Sequence, residues 1–376
     1  YYGGGQDPNA YGNTTDLNWM AGSQYVYSFG KCIFMPADLT AGIEFNQDKL
    51  EDNMWGYHRT VDQKVNIGSA FFQNEWKNEH WGFLIGGRLD KHNLIDHVIF
   101  SPRANLRYNP TENINLRFSY SSGFRAPQAF DEDLHVENVG GNVAMVELAD
   151  NLKEERSQSL SASADIYHRF GAFQVNFLVE GFYTKLSDVF ALTDGETVDG
   201  ILTRTRYNAP GARVMGLTLE GKMAYLTKFQ LQAGVTLQQS HYSEPHVWNP
   251  DAPAVKKMMR TPNTYGYFTA TYTPIKPLSI ALSGTYTGSM LVPHEPVPGF
   301  LENPITVNTK DFFDIGLKAA YDFKLYKSMN LQVNAGIQNI FNAYQNDFDK
   351  GADRDSGYIY GPSLPRSFFA GVKISY

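Results

Sequence analysis

The chain is organised by a two-residue alternation of apolar and polar positions, which is clearest at its C-terminal end. There, one parity holds Phe368, Ala370, Val372, Ile374 and Tyr376, and the other holds Phe369, Gly371, Lys373 and Ser375. Positions two apart share a face of a β-strand, so this pattern predicts a strand with one apolar side. An aromatic residue at the very end is expected where a last strand pairs with a first strand to close a barrel.

The same alternation recurs along the whole chain and predicts about fifteen strands. We place them at residues 15–30, 38–48, 61–76, 80–90, 97–109, 113–124, 155–170, 173–190, 203–226, 229–242, 263–274, 278–290, 311–325, 330–341 and 363–376. Alternation is also typical of soluble barrels and propellers. The absence of a fixed repeat period argues against a propeller.

The composition of the polar faces favours a membrane barrel. In 278–290 the polar parity consists of Ser and Thr, and in 229–242 it is rich in Gln. A soluble sandwich more often presents Lys and Glu to bulk solvent. We read no arginine or acid ladder across these faces, a feature that a porin would have. The pattern therefore indicates a water-filled lumen lined by uncharged polar side chains.

The lengths of the connections support the same architecture. From residue 109 onward, tight turns alternate with long loops, and the long loops are Arg125–Glu154, Ala191–Leu202, Ser243–Pro262, Leu291–Lys310 and Asn342–Pro362. Short periplasmic turns and long extracellular loops are typical of outer-membrane barrels. The C-terminus then falls on the periplasmic side. Aromatic residues near the strand ends fit interfacial girdles, and they include Tyr108, Tyr120, Phe170, Phe173, Tyr272, Tyr286, Tyr321 and Phe341.

Composition excludes several classes of protein. The chain has 376 residues and a net charge of −7, and this acidic balance argues against a nucleic-acid partner. No run of eighteen apolar residues occurs, so a transmembrane helix is not expected. The single Cys32 forbids a disulfide within the chain. No nucleophile elbow, metal-binding helix pair or phosphate loop is present, so we do not expect an enzyme.

Several motifs resemble those of the TonB-dependent outer-membrane receptors and occur in the order found in that family. The segments are NLRFSYSSGFRAPQ (Asn115–Gln128), DNLKEERSQSL (Asp150–Leu160), YNAPGARVMGLTLEG (Tyr207–Gly221), RTPNTYGYFTATYTP (Arg260–Pro274), IQNIFNAYQ (Ile337–Gln345) and the closing GPSLPRSFFAGVKI. Two positions depart from the family pattern. Asn151-Leu152 lacks the proline of the second box, and Thr218 stands where an acid is usual.

The resemblance implies an all-β, transmembrane antiparallel β-barrel. It implies that residues 1–376 are the C-terminal 15–16 strands of a barrel of about twenty-two, without the N-terminal plug and the first strands. A partial sheet has open edges that lipid cannot satisfy, so we expect a fragment of a longer receptor. The implied partners are the TonB complex through the missing plug, outer-membrane lipid, the barrel-assembly machinery through the C-terminal strand, a surface lipoprotein and a small-molecule ligand. The implied location is the outer membrane of a Gram-negative bacterium.

Two loops carry candidate binding chemistry. Asp347, Asp349, Asp353 and Asp355 alternate with glycines in the last long loop, as in oxygen-rich calcium loops, although the terminal Glu of an EF-hand is missing. A solvated acidic loop tip is the alternative. His135 lies between the first two boxes, where haem receptors of the resembled family carry an iron ligand. A simple loop contact is the alternative for this histidine.

The expected function is energy-coupled uptake of a scarce, bulky ligand that porins cannot pass. The candidate ligands are a cobalamin-like cofactor, an iron siderophore and haem. The alternatives are a passive porin, a barrel adhesin and a glycan importer of the same superfamily.

Overall fold

The computed structural model describes residues 11–127, 143–198, 201–326, 328–351, 354–355, 357–362 and 364–376. The strands are β1 (Asn13–Cys32), β2 (Met35–Met54), β3 (Arg59–Lys77), β4 (Trp81–His92), β5 (Ile99–Thr111), β6 (Ile114–Arg125), β7 (Val143–Leu148), β8 (Glu155–Phe170), β9 (Phe173–Ser187), β10 (Val189–Val198), β11 (Ile201–Ala209), β12 (Ala212–Tyr225), β13 (Phe229–His246), β14 (Val255–Lys257), β15 (Thr264–Ile275), β16 (Leu278–Thr287), β17 (Leu291–His294), β18 (Ile305–Asn308), β19 (Phe312–Lys324), β20 (Asn330–Gln338) and β21 (Ser367–Ser375). One 3₁₀ turn, Trp55–Tyr57, follows β2. In this part of the chain no helix has the length and apolarity needed to span a membrane.

One large antiparallel sheet forms the framework. Its strands follow the order β1-β2-β3-β4-β5-β6-β8-β9-β12-β13-β15-β16-β19-β20-β21, and the short β14 pairs beside β13. Within this sheet, strands that follow each other along the chain are neighbours, in the up-and-down order of a membrane barrel. Each predicted strand except 203–226 corresponds to one strand of this sheet.

The C-terminal strand confirms the predicted alternation. Asn334 of β20 lies opposite Gly371, and Ala335 lies opposite Ala370. On the apolar face, the side chains of Phe368, Val372 and Ile374 are 74%, 68% and 63% exposed. Such exposure of large apolar groups is stable in lipid but not in water.

Aromatic side chains gather at the end of the sheet that carries the tight turns. Trp81 stacks on Tyr108 with ring centroids 4.2 Å apart, and Phe173 packs on Tyr225 at 4.6 Å. These rings lie on the apolar face at or near the ends of their strands, where an interfacial girdle is expected. We call this end of the sheet the short-turn end and the opposite end the long-loop end.

The prediction of one strand over residues 203–226 is wrong. The chain breaks at Pro210-Gly211, so β11 ends at Ala209 and β12 begins at Ala212. Proline cannot donate a ladder hydrogen bond. A Cβ atom on Gly211 would lie 2.1 Å from the carbonyl oxygen of Leu186, so the crossing requires glycine.

The long loops contain more regular structure than the alternation predicts. β10 and β11 form an antiparallel hairpin, and β7 joins β11 in a parallel pair, which makes a separate three-stranded sheet. β17 and β18 form a second hairpin within the predicted loop Leu291–Lys310. The last strand starts at Ser367, not at 363, because the preceding residues belong to the last long loop.

Candidate functional site

Three long connections meet at the long-loop end, and we call them together the loop platform. They are residues 243–263, 288–311 and 339–366. The backbone N–H of Arg260 donates to the carbonyl of Leu291 at 2.7 Å, and its guanidinium donates to the carbonyl of Ile359 at 2.9 Å. Asn249 donates to the Glu295 carboxylate at 2.8 Å. Each connection therefore contacts the other two, either directly or through Arg260.

A small apolar core holds the platform together. Met290 and Val292 pack with Tyr358, and all three side chains are buried. The imidazole of His294 stacks on the Tyr358 ring, with centroids 3.8 Å apart and planes at 6°. Its Nε2 donates to Oδ2 of Asp349 at 2.9 Å, and both side chains are nearly inaccessible to solvent. The last loop is thus anchored on the β17–β18 hairpin by packing and by a buried polar contact.

Gln345 organises the last loop from inside. Its side chain is 2% exposed, and Nε2 donates to the carbonyl of Tyr358 at 2.9 Å. Its Oε1 accepts from the backbone N–H of Tyr360 at 2.8 Å and of Gly361 at 3.3 Å. The side-chain amide of Gln345 therefore supplies the hydrogen-bond partners that a neighbouring strand would supply to these backbone groups in a sheet.

Tyr360 lies at the edge of this core and donates to Asp347. Its hydroxyl is 2.6 and 2.7 Å from the two carboxylate oxygens. Burial, followed by the hydrogen bond and the charge of Asp347, raises the pKa of Tyr360 well above its ordinary value. Burial and Asp347 also raise the pKa of Tyr358. Both phenols therefore remain neutral donors at physiological pH.

The structure places three of the four residues of the predicted calcium loop in this platform. Asp349 accepts from His294 and from the backbone of Asp355, and Asp355 accepts from the backbone N–H of Glu295 at 2.9 Å. Within the described ranges, no three His, Cys, Asp or Glu side chains are grouped so that they could hold a metal ion. Asp353 lies outside the described residues. The calcium site stays a prediction.

The outer surface of the platform is apolar in places. Phe300, Phe348 and Ile359 are 77%, 42% and 57% exposed. Val247 and Ile305 are also exposed. These side chains offer a surface for a bulky, partly apolar ligand.

The two sequence boxes meet at the other side of the long-loop end. Arg125 of the first box lies opposite Glu155 of the second in the β6–β8 ladder. Its guanidinium lies 5.5 Å from the centre of the Phe190 ring, and the buried Arg206 approaches the same ring at 5.5 Å. His135 lies outside the described residues, so the haem-ligand prediction also stays a prediction.

Glu154 of the second box forms a charged contact with β8 and with the β4–β5 connection. It is buried and accepts from Arg156 at 2.6 Å and from Nε2 of His97 at 3.0 Å. Burial pushes the pKa of Glu154 upward. The hydrogen bond from Arg156, with help from the backbone and His97, outweighs burial and leaves that pKa below its ordinary value. Glu154 is therefore a structural anion that joins the start of β8 to the β4–β5 connection.

The sequence analysis missed a set of arginines on the polar face of β4–β6. Arg88 lies opposite Ser101, Arg103 opposite Ser121, and Arg107 opposite Arg117, all on the parity that faces the lumen of a barrel. Our reading that the polar faces carry no such ladder is wrong for these strands. The sequence signal was that three arginines share the polar parity of β5 and β6. That they form a row across the two strands became clear only with the register.

Comparison with known proteins identifies the fold family. Residues 1–340 match the family described as TonB dependent receptor-like, beta-barrel. No curated protein matches the sequence at a significant level.

Solved structures of similar fold include siderophore and iron receptors. The siderophore receptor PirA from Acinetobacter baumannii is 15% identical, with a TM-score of 0.67, and the alignment covers 96% of this chain and 54% of that one. A mutant of the ferric enterobactin receptor PfeA from Pseudomonas aeruginosa is 18% identical, with a TM-score of 0.67 and coverage of 96% and 54%. The ferric-catecholate import receptor Fiu from E. coli K12 is 14% identical, with a TM-score of 0.69 and coverage of 96% and 55%. The chain thus spans about half of the length of these receptors. By its sequence match, its strand order and its loop asymmetry, the chain belongs to the TonB-dependent receptor β-barrel family.

Proposed function

We propose that this chain is part of the barrel domain of a TonB-dependent outer-membrane receptor that imports an iron–siderophore complex. The observation that carries the proposal is the loop platform, a built surface with exposed apolar side chains at the mouth of a receptor barrel. A ferric siderophore is bulky, scarce and partly apolar, so it fits a surface of this kind. The names of the similar solved structures support iron over cobalamin or haem as the cargo.

The proposal treats residues 1–376 as one part of a longer receptor. The solved relatives are about twice as long as the matched region, which supports this reading. Energy from the TonB complex, contact with outer-membrane lipid and insertion by the barrel-assembly machinery belong to the same proposal. Catalytic chemistry is not part of it.

Equilibrium binding to the full-length receptor in detergent tests the proposal. We expect ferric enterobactin to bind and to quench tryptophan fluorescence, and cyanocobalamin and haem to bind at least tenfold more weakly. The double variant Phe348→Ser/Ile359→Ser should weaken ferric enterobactin binding about tenfold, because both side chains are exposed on the platform. Ile33→Ser is the matched control, since Ile33 is 81% exposed but lies in the tight turn between β1 and β2 at the opposite end.

Transport is tested in cells. Uptake of radioactive iron from ferric enterobactin should stop when TonB is deleted or the proton gradient is collapsed, whereas surface binding should continue. Uptake that survives both treatments would indicate a passive porin and contradict the proposal. Tight binding of haem or cyanocobalamin, without binding of ferric enterobactin, would assign another cargo.

A further inference from the structure

A row of basic side chains crosses four strands on the apolar, lipid-facing side of the sheet near the long-loop end. Lys185 of β9 lies directly opposite Arg213 of β12, and Arg213 lies directly opposite His241 of β13. His241 in turn lies opposite Lys257 of β14. Directly opposed residues of antiparallel strands point to the same side of a sheet. We call Lys185, Arg213, His241 and Lys257 the basic row. Neighbouring strands are about 4.8 Å apart, so the row is about 14 Å wide.

No acid neutralises the basic row within the part of the chain that the structure describes. Lys185 and Arg213 are exposed, and no described carboxylate forms an ion pair with them or with Lys257. A cation on the opposite, polar face of β12 differs, because Lys222 lies 2.8 Å from Glu220. Like charges in opposed positions repel each other. An anion from outside the chain would therefore stabilise the row.

The same face becomes apolar directly below the row, toward the short-turn end. Tyr183 lies two residues from Lys185, and Met215 lies two residues from Arg213; both are exposed. Leu217 follows on the same parity and is also exposed. A cationic row above exposed aromatic and aliphatic groups is typical of a boundary between lipid headgroups and acyl chains.

The length of β9 places the row at the level of the headgroups. Phe173, in the aromatic girdle at the short-turn end, is twelve residues before Lys185. Twelve residues of a strand span about 40 Å. At a strand tilt of about 35–45°, this corresponds to a rise of about 28–33 Å across the membrane, slightly more than the apolar band of about 25 Å. Lys185 therefore lies just beyond the apolar band, on the side of the long loops.

A recess in the apolar surface adjoins the row from below. Its volume is about 860 Å³, and Gly181 lies opposite Leu217 within it. Gly181 keeps the recess open, because a Cβ atom at this position would meet no atom within 4 Å. An apolar lining on the lipid-facing side suits an acyl chain. The apolar lining also includes Leu160, Tyr183, Met215 and Leu237.

We propose that this part of the wall binds one phosphorylated lipid of the outer leaflet, with its phosphate groups on the basic row and an acyl chain in the recess. Guanidinium and ammonium groups form charge-assisted hydrogen bonds with phosphate oxygens. Charge and shape point to the same occupant, since a free anion would leave the recess empty and an uncharged lipid would leave the row unpaired. The inference rests on the membrane location in the proposed function and does not depend on the cargo.

Native mass spectrometry of the full-length receptor in a non-ionic detergent counts bound lipids and measures their affinity. The probe is lipid A with two phosphate groups, and monophosphoryl lipid A is the comparison. We expect one tightly bound lipid A per receptor, held at least fivefold more tightly than the monophosphoryl form. The triple variant Lys185→Gln/Arg213→Gln/Lys257→Gln should bind lipid A at least tenfold more weakly, because each cation near an anionic lipid adds to the attraction. Lys185→Arg/Lys257→Arg keeps the charge and should bind within threefold of the wild type.

A matched control removes three cations from the opposite, polar face. Lys318→Gln/Lys324→Gln/Lys373→Gln changes exposed residues of β19 and β21. In the ladders, Lys324 lies opposite Asn330 and Lys373 lies opposite Gln332, on the polar parity. This control should bind lipid A within twofold of the wild type. Equal loss in the control would show a general charge effect and overturn the proposal.

A separate variant tests the recess. Gly181→Leu adds a side chain where the recess is open, so lipid A should bind about fivefold more weakly while the barrel still folds. Gly221→Leu is the control, because it lies on the same apolar face of the sheet, outside the recess, and its Cβ also meets no atom within 4 Å. Heat-modifiable mobility in gels checks the folding of both variants. Equal affinity of the two variants would show that no acyl chain occupies the recess and would refute this binding mode.

Other occupants give different results in the same spectra. Displacement of lipid A by millimolar inorganic phosphate would show a site for the free ion and overturn the proposal. A wild-type dimer that the triple Gln variant converts to a monomer would show that a second copy covers the row, with the same consequence. A wild type without a tight lipid A site would also overturn it. A wild type that binds lipid A but not ferric enterobactin would keep this site and lose the proposed cargo.

Discussion

The hydrogen bonds of Gln345 make the last long loop a testable unit. The variant Gln345→Met keeps a side chain of similar length and removes all three of its hydrogen bonds. Because Gln345 is almost inaccessible to solvent, water cannot replace these bonds while the loop stays closed. We expect the loop of residues 357–362 to open more often, while the strands of the sheet keep their pairing.

The magnitude follows from the geometry. Two bonds are short, at 2.9 Å to the Tyr358 carbonyl and 2.8 Å from the Tyr360 N–H, and the third, from Gly361, is longer at 3.3 Å. A buried polar group left without its partner costs about 1–3 kcal/mol. Two such groups reduce the free energy of local opening by about 2–6 kcal/mol. Amide exchange at Tyr360 and Gly361 should then accelerate about 30-fold to 20,000-fold, at about 1.4 kcal/mol per tenfold.

Hydrogen exchange measured by mass spectrometry on the full receptor checks this value. Peptides from β12 and β13 report on the sheet and should not change. Gln239→Met is the matched control, because Gln239 is exposed on β13 and its side chain makes no hydrogen bond to another described residue. Exchange at residues 360 and 361 that stays within twofold of the wild type would refute the role assigned to Gln345.

Two further predictions concern the strand break and the phenols of the platform. Gly211→Ala should prevent stable folding of the barrel, because the added Cβ would lie 2.1 Å from the Leu186 carbonyl oxygen. The loss of folding would be seen as loss of heat-modifiable mobility in gels. The control Gly221→Ala should fold normally, because no atom lies within 4 Å of the added Cβ. The platform should open in alkali. The pKa of Tyr360 is higher in the folded state than in the unfolded state, where it is about 10. The contribution of Tyr360 to stability is therefore complete below a pH of about 10 and is lost as the pH rises above that value. Absorbance at 295 nm should show this tyrosine ionising after the exposed ones, and Asp347→Asn should bring its titration to lower pH; simultaneous ionisation of all tyrosines would contradict the burial of this hydroxyl.

The sequence predicted the sheet well because a barrel strand is read from local alternation. In β20, Leu331, Val333, Ala335 and Ile337 share one parity, and the structure pairs the same face with the apolar face of β21. A shift by one residue would move every apolar side chain from lipid to lumen, so the register is strongly constrained. Short turns leave only one neighbour for the next strand, and the strand order follows from this.

The candidate site was predicted less well, because it depends on contacts between distant segments. The acids of the last loop looked like a calcium loop from their spacing alone. The structure shows that Asp349 accepts from His294, which lies 55 residues away, and that Asp355 accepts from Glu295, 60 residues away. A short-range pattern carries no information about partners so far apart along the chain. The sequence analysis did not identify Gln345 for the same reason, since its neighbours in the sequence do not distinguish it from an exposed glutamine.

The arginines of β5 and β6 mark the limit between what the sequence and what the tertiary structure determines. The sequence by itself determined that Arg103, Arg107 and Arg117 lie on polar faces, because the two-residue period of a strand assigns each side chain to a side. Only the tertiary structure decided that Arg107 stands opposite Arg117, because the register between strands sets which residues face each other. The same division holds for the whole chain: local periodicity determines the barrel wall, and long-range packing of the loops decides what the wall and its mouth can bind.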